Sequence, residues 1–157
     1  MNDRHVALIR AFYEALGRGD LAAMESCYHP EVSFGDPVFQ ELEGRDRVMA
    51  MWRLQLSLGD GLKAEFHGAT ADDFTGTARW TARYRMNRTG RLVVNEIEAL
   101  FRFEDHLIVR HHEEFDFKRW SKMALGRPHG LLFGWTPMWR QTIRERAMRE
   151  LDQFIRS

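Results

Sequence analysis

Asp36, His111 and Glu113 are the side chains whose types and spacing suit proton transfer. Asp36 stands in Phe34-Gly35-Asp36-Pro37-Val38, an acid at the end of a short strand-like run. A carboxylate placed among apolar groups loses hydration, so its pKa rises and it becomes a base useful near neutrality. The same Asp-Pro step also suits a turn cap. His111 and Glu113 belong to Val109-Arg110-His111-His112-Glu113-Glu114-Phe115. Strand alternation puts the two on one face, about 7 Å apart by the pleat repeat. A histidine beside a carboxylate holds one tautomer and cycles a proton at neutral pH. A slip of one residue would present His112, Glu114 and Asp116 instead. A charged sheet surface or subunit interface is the other use of such a strand.

Other chemistries find less support. Neighbouring strand residues face opposite ways, so residues 111–114 cannot share one ion, and no metal is expected. Cys27 is the single cysteine. It can form neither an internal disulfide nor a zinc site alone, and it reads as a small buried residue in a reducing, cytoplasmic setting. The glycine-rich stretch 126–134 lacks the Lys-Ser/Thr of a phosphate loop, so it reads as a tight loop and no cofactor is expected.

The elements that must position these residues show in the periodicity. Val6, Leu8, Ile9, Phe12 and Leu16 predict a helix over 5–16, stopped by Gly17 and Gly19. Asp20 is the expected N-cap of a second helix over 21–28, with Pro30 as its stop. A strand over 31–34 and a third helix over 44–58 follow. After Gly59-Asp60-Gly61 the period changes to that of four strands, 62–67, 77–87, 92–103 and 107–117. A short helix over 117–125 and a last one opened by Thr136-Pro137 complete the chain. Helices followed by a meander make the class α+β.

With 157 residues the chain is one domain in size. Its 44% apolar and 29% charged content is globular and excludes disorder or coiled coil. No run nears the ~18 apolar residues of a membrane span. The opening MNDRHVALIR has no basic segment followed by an apolar core, so no secretory leader is expected in it. The 23 basic and 23 acidic side chains cancel, which excludes a basic nucleic-acid binder. The charge is uneven, with −6 over 1–117 and +6 over 118–157. Such a tail leans on its own acidic body, on a second subunit or on an anionic partner.

Phe12-Tyr13-Glu14-Ala15-Leu16 with Gly19-Asp20-Leu21, Phe34-Gly35-Asp36-Pro37-Val38 and Phe101-Arg102-Phe103 together resemble the nuclear-transport-factor-2-like superfamily over residues 4–117. That superfamily includes ketosteroid isomerases, SnoaL-type polyketide cyclases and scytalone dehydratase. The resemblance implies a cone, with a curved antiparallel sheet wrapped around the N-terminal helices (1–117) and a C-terminal helical extension (118–157). It implies a deep pocket in which Asp36 occupies the place of the isomerases' proton-shuttling aspartate. It sends Val109, His111, Glu113 and Phe115 inward. Phe12 falls where the isomerases keep a tyrosine, with Tyr13 on a different helical face. Either Ala99 or Glu98 takes the position of their protonated aspartic acid, depending on the direction of matching. A true ketosteroid isomerase is therefore not expected.

The implied ligand-contacting residues are Phe12, Tyr28, Trp52, Glu98, Phe101 and Phe115. The implied activity is cofactor-independent acid–base chemistry (isomerisation, cyclisation or dehydration) on a hydrophobic small molecule by Asp36 with His111 and Glu113. A non-catalytic binder or assembly module is the alternative, and an interaction protein that docks its tail on an acidic partner is a third. The Arg flanked by two aspartates of this fold's epoxide hydrolases is not found. A homodimer is expected through an outer sheet face with Arg79, Arg83, Glu98 and Arg102. The apolar residues Trp120, Leu131, Leu132, Phe133, Trp135 and Trp139 are too many to leave in water, so the tail is expected to close the cone's mouth or clasp a second subunit.

Overall fold

The computed structural model describes residues 1–58, 61–126 and 137–157. Part of the expected 59–61 turn, the 126–134 loop beyond Gly126, Thr136 and the apolar group at 131–135 lie outside the described residues.

Helix α1 (Asp3–Arg18) opens where Asn2 accepts the His5 amide and closes at Gly19, whose φ of 69° is left-handed. It runs through Gly17 and stops only at the second glycine. Asp20 caps α2 (Leu21–Ser26) by accepting the Ala23 amide at 3.1 Å. That helix ends before Tyr28 because Tyr28–Gly35 form β1. Pro30 sits inside this strand, in the stretch where pairing to its neighbour is interrupted, so no ladder N–H is missed there. A two-residue strand, β2 (Leu42–Glu43), follows unannounced by any sequence pattern, and then α3 (Arg45–Ser57).

Strands β3 (Lys63–Ala71), β4 (Thr75–Arg85), β5 (Leu92–Glu104) and β6 (Leu107–Glu114) form the expected antiparallel meander. The sheet is curled and unclosed, in the order β2-β1-β6-β5-β4-β3, with β1 parallel to β6. Its concave face is filled by Ile9, Phe12, Tyr13 and Leu16 of α1 and by Val48, Met51 and Trp52 of α3, all buried.

Register decides which side chains enter the cone. In β5, Val93, Asn95, Ile97, Ala99, Phe101 and Phe103 are buried in unbroken alternation. Ala99 is therefore inside. Glu98 is not a pocket residue: it lies exposed on the outer face, 3.9 Å from Arg79. In β6 the pairing passes from Arg102↔Arg110 to Phe103↔Ile108, leaving Val109 as an extra residue. The bulge sends Ile108 inward in place of Val109 and leaves His111 and Glu113 facing the interior.

After β6, Asp116 accepts the Arg119 amide at 3.0 Å and starts α4 (Phe117–Leu125). Phe117, Trp120 and Ala124 bury against Val93 of β5. Helix α5 (Pro137–Arg156) packs along α3 and adds Ala147 and Leu151 to the main core. Arg47–Asp152 at 3.0 Å and Arg88–Glu150 at 2.9 Å tie its far end to the body. Among the described residues no helix is long and apolar enough to cross a membrane.

Candidate active site

Strand β6 lies between β1 and β5, so its inward side chains occupy the middle of the concave face. His111 is 0% exposed and Glu113 2%. The imidazole Nε2 lies 3.0 Å from Glu113 Oε1. The Tyr13 hydroxyl donates to the same oxygen at 3.0 Å, as does the Trp80 indole N–H at 3.1 Å. On the other side of the ring, Nδ1 lies 2.8 Å from the Tyr28 hydroxyl, which accepts the Trp52 indole N–H at 3.0 Å.

One proton assignment satisfies every member. An indole can only donate, so Tyr28 accepts from Trp52 and passes its own proton to His111 Nδ1. His111 is then the neutral Nε2–H tautomer and donates to Glu113. Three donors on one oxygen is the hydrogen bonding of a carboxylate anion. Burial holds the Tyr13 and Tyr28 hydroxyls well above their ordinary pKa, and the charge of Glu113 adds to both shifts, so both remain donors.

Phe12, Trp52, Phe101 and Tyr28 all pack on the imidazole, with the Phe101 and His111 centroids 4.6 Å apart. The sequence reading takes these four as ligand walls; in the structure they wall the histidine. Tyr13 and Trp80 have no place in that reading. Tyr13 enters because α1 lies inside the curl of the sheet, where a wide arc of the helix is buried. The even-residue inward parity of β4, visible at Ala78, Trp80 and Ala82, was the available signal for Trp80.

Asp36 occupies a different place. It follows β1, half-buried, and makes no hydrogen bond to His111 or Glu113 among the described residues. Its Oδ1 accepts the amides of Val38 at 2.7 Å and Phe39 at 2.5 Å, so it does cap the turn. Burial nevertheless pushes its carboxyl up to about 7, against the pull of the Phe39 and Val38 amides. The charge of Glu113 adds to the rise and that of Arg144 opposes it. Arg144 comes from α5 and donates through Nε to the Pro37 carbonyl at 2.9 Å. Tyr84 of β4 accepts the Trp120 indole N–H at 2.7 Å, and burial pushes its hydroxyl up to about 12, with Asp36 adding to the shift. Phe115 is half-buried beside Trp120, ring centroids 6.2 Å apart.

Two open grooves lie on the outer sheet face. The larger, about 630 Å³, is bordered by His67, Arg79, Thr81, Glu96, Glu98 and Glu114. The other, about 360 Å³, is bordered by Thr75, Thr77, Leu100, Arg102, Arg110 and His112. Neither includes Asp36, His111 or Glu113, contrary to the expectation of Glu98 beside them. His29, Glu104 and Asp105 bring three ligating atoms together elsewhere. There His29 Nδ1 accepts the Glu31 amide at 3.1 Å, which leaves the ring proton on Nε2, facing Asp105 at 3.4 Å. That arrangement turns the neutral ring's N–H toward Asp105 and leaves no free ring lone pair for a metal. Cys27 is buried, and burial raises its thiol to about 11, the state of an unreactive side chain.

Solved structures of other proteins share this fold at low identity. A LEH-like epoxide hydrolase from M. tuberculosis superposes with a TM-score of 0.67 at 18% identity, covering 83% of this chain and 93% of that one. A protein of ketosteroid isomerase-like fold from Catenulispora acidiphila DSM 44928, in complex with trimethylamine, gives 0.68 at 12%, covering 83% and 97%. TerC, co-crystallised with polyporic acid, gives 0.65 at 16%, covering 76% and 97%. No curated protein matches the sequence. The profile of the SnoaL-like domain matches residues 9–111, more than half of the chain and the stretch that builds the cone. This chain belongs to the SnoaL-like domain family.

Proposed function

We propose that the protein is a cofactor-independent acid–base enzyme of the isomerase, cyclase or dehydratase type, acting on a hydrophobic small molecule at Asp36. The observation that carries this reading is the placement of Asp36 in the turn after β1, with Arg144 on the neighbouring Pro37 carbonyl, where burial raises its carboxyl to about 7. Such a group is divided between its two forms at neutral pH, so it can take a proton from a C–H or O–H and give it back. Glu113 acts on it through charge rather than contact, and His111 acts only by holding Glu113. The anionic Glu113 makes Asp36 more basic, and the Tyr28–His111 chain fixes Glu113 in place. Arg144 and the two turn amides limit the rise, so the proton is released again.

A second reading is a non-catalytic binder of the same ligand class. Its support is the closure of the His111–Glu113 network, whose hydrogen bonds are made within the protein. In either reading the protein works as a homodimer through the outer sheet face, in a reducing cytoplasmic setting.

Carbon-13 NMR titration of the Asp36 carboxyl tests the proposal together with deuterium uptake at the methyl group of 2-acetylnaphthalene. The expected results are a midpoint near 7, exchange that follows that midpoint, and loss of exchange in Asp36→Asn with retained binding. A midpoint in the ordinary carboxylate range near ~3.9 overturns it.

A further inference from the structure

We infer that His5 and His106 form a two-imidazole site for a divalent transition-metal ion of the zinc, copper or nickel kind, outside the His111–Glu113 network. The start of α1, the β3–β4 turn and the β5–β6 turn meet there. His5 is 2% exposed, and its ring stacks on Phe103 with centroids 4.1 Å apart. Its Nδ1 lies 2.8 Å from the Asp72 carbonyl oxygen. A carbonyl only accepts, so Nδ1 carries the ring proton and Nε2 of the neutral ring keeps a lone pair. That lone pair faces His106, whose Nδ1 is 3.3 Å away.

One ring nitrogen donating to a backbone carbonyl, with the other presenting a lone pair, is the arrangement of a metal-ligating histidine. The carbonyl fixes both the tautomer and the ring orientation. The spacing agrees with this use. Two zinc–nitrogen bonds at a tetrahedral angle place their nitrogens about 3.3–3.4 Å apart. His106 is the second residue of the two-residue turn between Glu104 and Leu107, and its side chain is exposed. Its ring can turn to bring the Nδ1 lone pair onto the same ion, and water completes the coordination from the open side. Without metal the same ring, as the Nδ1–H tautomer, donates to His5. The contrast with His29 is direct, because there the ring N–H rather than a lone pair faces the neighbouring side chain. Two neutral nitrogens select ions that favour imidazole over magnesium or calcium, which favour oxygen. A bound ion ties the first turn of α1 to the β5–β6 hairpin, and binding to the folded form alone stabilises it.

The test titrates the full-length protein with zinc chloride, followed by calorimetry and by the imidazole nitrogen resonances in NMR. The expected result is saturable binding that moves His5 Nε2 and His106 Nδ1, with magnesium chloride moving neither. His106→Asn keeps a residue suited to the turn's positive φ of 61°. It should raise the Kd for zinc about tenfold or more, since even outer-shell partners of a metal are worth that much. His29→Asn should leave the Kd unchanged. Zinc should raise the melting temperature of the wild type and not that of His106→Asn. His5→Gln should also lose the site, and His106→Asn carries the test if that buried substitution fails to fold. No saturable zinc binding, equal Kd values in wild type and His106→Asn, or shifts confined to other histidines overturns the inference. Asp36 takes no part in this site, so the outcome is independent of the acid–base reading.

Discussion

The two ends of the cone treat polar groups in opposite ways. At the level of Ala99 and Phe101, the sheet holds a closed set in which Tyr13, Tyr28, Trp52, Trp80, His111 and Glu113 use one another as partners. At the Val93 end the polar groups are held by fewer bonds, Tyr84 by the Trp120 indole and Asp36 by two turn amides, and the C-terminal helices pack there. The closed end contributes stability and a fixed negative charge. The other end holds the groups that can change partner or proton. On the proposed reading, a single SnoaL-like cone divides structural and chemical duties along one axis.

The largest blow to the closed end comes from Glu113→Ala. It strands the donors of Tyr13, Trp80 and His111 together, and the expected loss is about 3–5 kcal/mol in chemical denaturation. Glu113→Gln keeps an acceptor and should lose far less. If both variants unfold alike, the oxygen is not the hub described here.

Asp36→Asn should have the next largest effect, and one of opposite sign. Folded Asp36 holds its proton to about 7 whereas the unfolded chain releases it near 3.8, so wild-type stability falls as pH rises through that window. Asparagine escapes that loss. Relative to wild type, the variant should gain about 2–4 kcal/mol between pH 4 and pH 8. Thermal melts across that range that stay parallel would place Asp36 with the ordinary surface carboxylates.

Trp120→Phe removes the donor that fixes Tyr84 and should cost about 1 kcal/mol, the scale of one neutral hydrogen bond. Its mark is specific: the Tyr84 titration, followed by ultraviolet difference absorbance, should move above about 12, because the indole donation holds it down. Arg88→Ala sets the floor. Its ion pair with Glu150 is half-exposed, and its removal should change stability by less than about 1 kcal/mol.

The elements were legible because each carries its own signal: Asn2 and Asp20 as caps, Gly19 as a stop, and the change to period two after residue 61. The α4 boundaries at Phe117 and Leu125 coincide with the amphipathic run between Asp116 and Gly126. Register was harder. Matching from two anchors left Glu98 and Ala99 as rivals, and only the uninterrupted ladder of β4 with β5 excludes Glu98 from the interior. The bulge at Val109 leaves no trace in composition, since Ile108 and Val109 suit either face equally.

Tyr13 was misread for a physical reason. A surface helix buries one stripe, whereas α1 is enclosed by a curling sheet and buries neighbouring residues 12 and 13 together.

The curled sheet does not close, and its two edges among the described residues are blunted in different ways. On one side β2 is only two residues long and offers almost no template for another strand. On the other, β3 is interrupted between Phe66 and Gly68 and carries exposed Lys63 and Glu65. Short edges, bulges and charges are the means by which sheets resist strand addition. The protein should therefore stay free of fibrous self-assembly even where partial unfolding bares its aromatic interior.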